Sequence, residues 1–306
     1  MAQGLDQAYA PTVASAKIEK VAGLSCWTGS VEPVPLAGGL TNANFTVVDA
    51  GQKFFVRLGK DIPVHHLMRF NEHAASRAAH AAGLSPEVVH ASDGALVLRF
   101  IEGETLTAAD VCKPENLERI VEMIGRCHTE IPKHFRGPAL VFWVFQILRD
   151  YTVTLREQNS PRCALLPRTS RIATVLEQTV GPIDLVFGHN DLLPANWIDD
   201  GERLWLIDWD YAGFNSPLFD LANLASNNRF SPDQERALLA AYFDRVPEKQ
   251  LGRAYSAMKC ASLLREAMWS MVSELHSDID FDFGSYAEEN LARFDAEWES
   301  HQREFP

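Results

Sequence analysis

The sequence predicts an α+β fold of two lobes, a small antiparallel β-sheet lobe over residues 1–102 and a larger, mainly helical lobe over 103–306. Three observations carry this. Short Val- and Phe-rich runs separated by turn residues crowd the first hundred positions, as in a β-meander. Beyond Gly103, apolar residues recur at helical spacing through long segments. Inside that helical stretch, brief β runs bracket a polar segment at 188–196, and polar residues crowded between buried strands mark a site.

In chain order, 32–36, 44–48 and 53–58 read as strands, the last two joined across Asp49-Ala50-Gly51-Gln52. Pro63 opens a helix running through His73 to Ala82, closed by Gly83 and Pro86. Strands at 87–90 and 95–101 turn about Ser92-Asp93-Gly94, completing five strands with one inserted helix. In the second lobe Leu117, Ile120, Val121, Ile124 and His128 keep helical spacing, and 142–158, 231–243, 252–276 and 285–300 read as long helices. The β runs there are 184–187, 197–198 and 204–207, with Asp199-Asp200-Gly201 as a hairpin turn.

Charge narrows the function. Lys+Arg 28 against Asp+Glu 41 gives a net charge of -13, which excludes the broad cationic surface that nucleic acid needs; it raises the local concentration of small cations, although many enzymes are acidic for solubility alone. Five cysteines, Cys26, Cys112, Cys127, Cys163 and Cys260, form no C-x-x-C pair and no zinc spacing, so they read as reduced thiols of a cytoplasmic protein. Asp6 and Gln7 stand where a signal peptide requires an apolar run, and the longest apolar stretch, 140–148, is far short of a span. Neither export nor membrane insertion is expected, and nothing in the sequence sets an oligomeric state.

The chemistry concentrates in His189-Asn190-Asp191-Leu192-Leu193-Pro194-Ala195-Asn196, which fits the kinase catalytic-loop pattern H-x-D-L-x-x-x-N at every specified position. Asp208 follows Asn196 by twelve residues at the end of a β run, where that pattern sets its metal-binding Asp. Phosphoryl transfer asks a protein mainly for positioning and charge neutralisation. Asp191 and His189 are therefore the catalytic candidates, the Asp191 carboxylate orienting and deprotonating an acceptor hydroxyl. Asn196 and Asp208 offer hard oxygens to Mg²⁺. Arg57 ends a strand and Glu72 stands fifteen residues on, as a phosphate-binding cation and the helix carboxylate that holds it should. Gly39, Thr41 and Asn42 lie in a Gly-containing loop between strands, suited to approach ATP phosphates. Glu102 marks the strand exit where adenine meets the backbone. Asp278, Asp280, Asp282 and Glu289 mimic a calcium loop, but Phe283 stands where that loop needs Gly, so calcium is not expected.

On these residues the chain resembles the choline/ethanolamine kinase branch, bacterial type, of the aminoglycoside-phosphotransferase-like kinases. The resemblance runs from 36 to about 294. Its anchors are Gly38-Gly39-Leu40-Thr41-Asn42-Ala43-Asn44-Phe45, Val56-Arg57-Leu58, Gly188-His189-Asn190-Asp191, Leu206-Ile207-Asp208-Trp209-Asp210-Tyr211, Phe219-Asp220-Leu221-Ala222-Asn223 and Met268-Trp269-Ser270. It implies a two-lobed protein-kinase-like fold, ATP and Mg²⁺ as cofactors, and a small cationic amino alcohol as substrate. It also implies an aromatic cage for the ammonium group drawn from Tyr211, Trp269, Phe281 and Tyr286, with Asp210 on the same side.

Such a cage makes physical sense, since each ring face stabilises a desolvated cation by ~0.5–2 kcal/mol. Two positions depart from the family. Glu266 replaces a cage Trp three residues before Trp269, and Asn227 replaces a substrate-facing Glu. Both are substrate-binding candidates, and they leave the identity of the amine open. Two alternatives remain: a phosphotransferase for a larger aminated acceptor of aminoglycoside type, and a nucleotide-binding pseudokinase scaffold. The aromatic set argues against the first; Asp191, Asn196 and Asp208 argue against the second.

Overall fold

Alternation of buried and exposed side chains along short runs builds the first sheet. The computed structural model describes residues 11–36 and 42–306. After helix α1 (Pro11–Ala22) come β1 (Val34–Leu36), β2 (Ala43–Asp49) and β3 (Gln52–Leu58). The chain then forms α2 (Arg69–Ala81), β4 (Val88–Ser92) and β5 (Ala95–Arg99). The five strands pair antiparallel in the order β1-β2-β3-β5-β4. The β2–β3 hairpin turns on Ala50 and Gly51, both at positive φ, as a tight two-residue loop requires. Phe45 and Val47 of β2, Phe54, Val56 and Leu58 of β3 and Val97 of β5 share one face and bury Val21 of α1. Arg57, one position out of phase on β3, faces the other way.

The helix expected from Pro63 to Ala82 is broken. Pro63–His65 makes one 3-10 turn, His66 adopts φ 60°, and Leu67 is buried while bridging back to Ile62. Helix α2 starts only at Arg69, whose amide donates to Asp61 Oδ1 at 2.7 Å. That break turns the first turn of α2, with Arg69 and Glu72, toward Arg57.

The second part continues with β6 (Glu104–Thr105), α3 (Ala108–Val111), α4 (Pro114–His134), α5 (Val144–Glu157) and α6 (Leu166–Val180). Next come β7 (Val186–Gly188), β8 (Trp197–Asp199), β9 (Leu204–Leu206) and β10 (Gly213–Asn215). The chain closes with α7 (Pro217–Asn228), α8 (Pro232–Phe243), α9 (Lys249–His276) and α10 (Phe283–Glu304). Two small sheets, β6-β8-β9 and β10-β7, flank the segment 189–196. Helix α9 is buried almost all round between Tyr255 and Ser273, with α5, α6, α7 and α10 packed on it. Ala75, Ala78 and Ala79 of α2 join this second core against α4, although α2 lies early in the chain.

Helices α1, α6 and α7 go beyond the sequence reading. Nearly every side chain of α7 is buried, so no amphipathic period advertises it. Its cap is visible: Ser216 Oγ accepts from Leu218 N, with Pro217 following. Among the described residues no helix is long and apolar enough to cross a membrane.

Candidate active site

The loop from Gly188 to Trp197 is held from below by Asp220, in the first turn of α7. Its Oδ2 accepts from His189 N at 2.8 Å, and its Oδ1 accepts from Asn190 N at 2.7 Å. His128 Nε2 lies 3.0 Å from Oδ2. A Cβ on Gly188 would approach Asn190 Oδ1 to 2.8 Å, so the close approach requires glycine there. Asn190 sits at φ 66° and donates to the carbonyls of Tyr211 and Gly213. Leu192 N donates to Asn223 Oδ1 at 2.6 Å, and Asn196 Nδ2 to Asp191 O at 2.8 Å. These bonds fix the Asp191 backbone on both sides of its side chain.

His189 does not reach the cleft as a reacting group, which corrects its expected catalytic role. Its Nε2 faces Ile207 O at 2.9 Å and must donate, while its Nδ1 accepts from Asp191 N at 3.3 Å. Both ring nitrogens are thus committed to the backbone, and burial holds the imidazole below its usual pKa, in the neutral form. The ring packs tilted against Trp209, with the centroids 4.7 Å apart. His189 ties the loop to the strand that delivers Asp208.

Asp208 itself sits at φ 69°, on a side chain 29% exposed. Burial works against its charge, but the Arg57 guanidinium outweighs it and holds the carboxyl below the usual range. Arg57 Nη1 meets three carboxylates: Glu72 Oε1 at 2.8 Å, Asp208 Oδ1 at 2.8 Å and Asp210 Oδ1 at 2.9 Å. The expected Arg57–Glu72 pair is therefore formed, and it is buried.

A second arginine, which the sequence reading missed, completes the cluster. Arg69 Nη1 contacts Glu72 Oε2 at 2.6 Å and Asp210 Oδ1 at 2.8 Å, and its Nη2 donates to Asn42 Oδ1 at 2.8 Å. Asn42 returns a bond from Nδ2 to Asp210 Oδ2 at 3.2 Å. A Cβ on Gly59 would come within 3.0 Å of the Arg69 guanidinium, so glycine leaves room for it. The spacing of Arg69 three residues before Glu72 on one helix was the available signal. Asp210, expected on the substrate side, instead has both oxygens taken up by this cluster, because two arginines and Asn42 converge on it.

The acceptor candidates gather around Tyr211 and Glu266. Trp269 Nε1 donates to Tyr211 Oη at 3.0 Å, and Tyr286 Oη donates to Glu266 Oε1 at 3.0 Å. Phe281 packs on Tyr286 at 5.6 Å and on Phe283 at 5.0 Å, while Phe283 packs on Trp269 at 5.9 Å. Burial pushes the hydroxyls of Tyr211 and Tyr286 well up, with the Asp191 charge contributing to both. Burial likewise pushes the Asp191 carboxyl up to about 8; Arg265 opposes that, and Glu266, Asp208 and Asp210 add to it. Arg265, buried beside Glu266 with its Cζ 4.4 Å from the Tyr211 ring centroid, is a further residue the sequence did not signal.

The remaining candidates lie apart. Asn227 is half-buried on α7 and donates to Asn223 Oδ1 at 3.2 Å, which joins it to the loop rather than to the aromatic group. Glu102 is 76% exposed and pairs with Lys53 at 3.2 Å on the surface, outside the charge cluster. Gly39 and Thr41 fall outside the described residues.

Comparison with known proteins identifies the family. The family model for choline/ethanolamine kinase matches residues 34–237, more than half of the chain. Protein LicA of Haemophilus influenzae is 29% identical over 273 residues, covering 86% of this chain and 78% of that protein. A probable ethanolamine kinase of Arabidopsis thaliana is 26% identical over 291 residues, with 84% and 76% covered. A crystal structure of a choline/ethanolamine kinase family protein from Mesorhizobium loti superposes with a TM-score of 0.74 at 28% identity, spanning 96% of this chain and 97% of that one. With its two-lobed kinase-like fold and its family pattern both in place, the chain belongs to the choline/ethanolamine kinase family and is a phosphotransferase with an alcohol group as acceptor.

Proposed function

We propose that the protein transfers the γ-phosphoryl group of Mg-bound ATP to the hydroxyl of a small amino alcohol of the choline/ethanolamine type. The observation that carries this reading is Asp191, whose carboxyl feels both Asp208 and Asp210 of the charge cluster and Arg265 and Glu266 of α9.

The residues fit a magnesium ion and a nucleotide. Asn196 spends its Nδ2 on Asp191 O, which leaves its amide oxygen as the ligating atom. Asp208 gives Oδ1 to Arg57 and keeps its second oxygen free of protein hydrogen bonds among the described residues. Three carboxylates face the two guanidinium groups of Arg57 and Arg69, a formal excess of one negative charge with all three ionised, and burial pushes the Asp210 carboxyl up to about 7. Among the described residues no group of three or more His, Cys, Asp or Glu is arranged to hold a metal ion by itself, so Asn196 and Asp208 would hold magnesium together with the nucleotide. Arg57 Nε is buried without a partner among the described residues, a donor placed for a phosphate oxygen. Bound there, the ion supplies neutralisation of the phosphate charge.

The chain's own residues do the rest. Glu72 and Arg69 fix the direction of Arg57. Asp191 accepts the proton of the acceptor hydroxyl, and a pKa of about 8 lies near working pH, where a general base is efficient. The close-packed wall of Tyr211, Trp269, Phe281 and Tyr286 suits a small acceptor better than an aminoglycoside. The five thiols are all free, which supports a cytoplasmic location.

An ATP-consumption assay over a panel of amines tests the reading. Mg-dependent turnover of a small amino alcohol is expected. Turnover of aminoglycosides alone would transfer the assignment to a larger acceptor, and nucleotide binding without any transfer would make the protein a scaffold.

A further inference from the structure

Arg265 is 3% exposed and lies in the middle of α9, one residue before Glu266. Its Nη1 meets Glu266 Oε2 at 3.0 Å. Its guanidinium lies over Tyr211 at 4.4 Å and near Phe142 at 5.7 Å from the ring centroids. Its Nε and Nη2 are buried and have no hydrogen-bond partner among the described residues. Those two atoms are not an arbitrary pair. Nε–H and Nη2–H lie on the same edge of the planar guanidinium and form the side-on fork that a carboxylate matches with two parallel hydrogen bonds.

Two further facts bear on what meets that fork. A ligand ammonium seated on Tyr211 shares the ring with a guanidinium already stacked there, and like charges in a dry site repel strongly. Among the described residues Glu266, adjacent to Arg265, has only Tyr286 Oη and Arg265 Nη1 on its oxygens, so its remaining lone pairs can take an N–H donor. A guanidinium edge and a carboxylate side by side are the charge complement of a zwitterion, not of a bare cation.

We propose that the acceptor is a hydroxylated zwitterion, an amino alcohol that also carries a carboxylate. The carboxylate docks on the Nε/Nη2 edge of Arg265, the ammonium faces Glu266, and the hydroxyl faces Asp191. This rests on the kinase reading above and names the substrate class of the same site.

The experiment compares matched pairs that differ only by the carboxylate. L- and D-serine are set against ethanolamine, homoserine against 3-aminopropanol, and 4-amino-3-hydroxybutyrate against 1-aminopropan-2-ol. Each is assayed with Mg-ATP on the wild type and on Arg265→Lys, which keeps the charge and loses the fork. At least one carboxylate-bearing member is expected to exceed its partner in kcat/KM by tenfold or more, with that ratio falling at least tenfold in Arg265→Lys. If no such member exceeds its partner, or if the ratio survives Arg265→Lys, the proposal is overturned. Should no compound be phosphorylated, the kinase reading fails separately. Thermal shift with Mg-ADP and each pair then decides the carboxylate question: a larger shift for the zwitterion, lost in Arg265→Lys, upholds it, and equal shifts overturn it. Variant melting temperature without ligand, measured alongside, identifies a fold defect, in which case Arg265→Gln is substituted and held to the same ratio criterion.

Discussion

Arg57, beside Asp208, and Arg265, beside Tyr211, are both buried arginines, and the protein surrounds them differently. Arg57 has three carboxylates within 2.9 Å of a single nitrogen, and Arg69 shares two of them. Arg265 has one carboxylate and an aromatic face, with two donors left over. Formal negative charge is in excess on the phosphate side, where one buried donor, Arg57 Nε, is left over, and hydrogen-bond donors are in excess on the acceptor side, where two are left over beside one carboxylate. An excess of charge calls for a divalent cation; an excess of dry donors calls for ligand oxygens. The two sides are therefore incomplete in opposite senses, and substitutions should affect one without the other.

The largest effect is expected where the two sides meet. Asp191→Asn keeps the shape of the side chain and removes its capacity to take a proton, so kcat should fall by roughly 10²–10⁴ while the affinity for nucleotide stays within about twofold. Asp208→Asn should differ by weakening Mg-dependent nucleotide binding as well. Steady-state kinetics with nucleotide binding measured in parallel separates the two; near-normal turnover by the Asp191 variant would remove the base assignment.

Next in size is the support beneath the loop. Asp220 is a charged acceptor for two backbone amides and approaches His128 at 3.0 Å. In Asp220→Asn one carboxylate oxygen becomes an NH₂ group facing a donor, and roughly 2–4 kcal/mol of stability should be lost. Urea denaturation measures it. Because the loop serves both sides, kcat should fall with either kind of acceptor, and an unchanged midpoint would show that the loop does not depend on this residue.

How much of this was legible follows from which signals are local. The segment from His189 to Asn196 and Asp208 could be read because a contiguous pattern carries them, and Arg57 with Glu72 because a strand end and a helix start are both visible. The break at His66 could not be read, since a left-handed histidine leaves no mark in composition. Asp210 was assigned to the wrong side because its partners, Arg69 and Asn42, come from distant parts of the chain. His189 looked catalytic until the Ile207 carbonyl showed where its proton must lie. Arg265 was passed over because an arginine in a long helix ordinarily marks a solvated face; only the packing of four helices around α9 buries it.

Glu72→Gln sharpens the contrast from the phosphate side. Arg57 and Arg69 both remain but lose the carboxylate they share, and the direction of Arg57 is no longer fixed. The KM for ATP should rise, or kcat fall, by about 10–100-fold, as expected for losing a charge-assisted bond, with KM for the amine unaffected. Initial rates over a grid of both substrates resolve this. An amine KM that moves together with that for ATP would mean that the two sides are not separable.

The smallest effect is expected at Glu266, where the quantity read is a preference between two amines. Glu266→Trp restores an aromatic face worth ~0.5–2 kcal/mol to a quaternary ammonium, and removes a carboxylate that bonds only to amines carrying N–H. Both changes favour choline over ethanolamine. The same substitution also strips Arg265 of its one carboxylate partner, leaving a buried guanidinium beside Tyr211 that repels any cation placed there. Repulsion acts on choline and ethanolamine alike, so it lowers both values of kcat/KM and drops out of their ratio. The ratio of choline to ethanolamine should therefore rise by about 2–30-fold even as absolute activity declines. Competition between the two amines in one reaction, followed by product analysis, measures the ratio directly and is insensitive to the amount of folded enzyme. A flat ratio with both products formed would mean that Glu266 binds Arg265 and Tyr286 without facing the acceptor, and the acceptor side would then be defined by Arg265 alone.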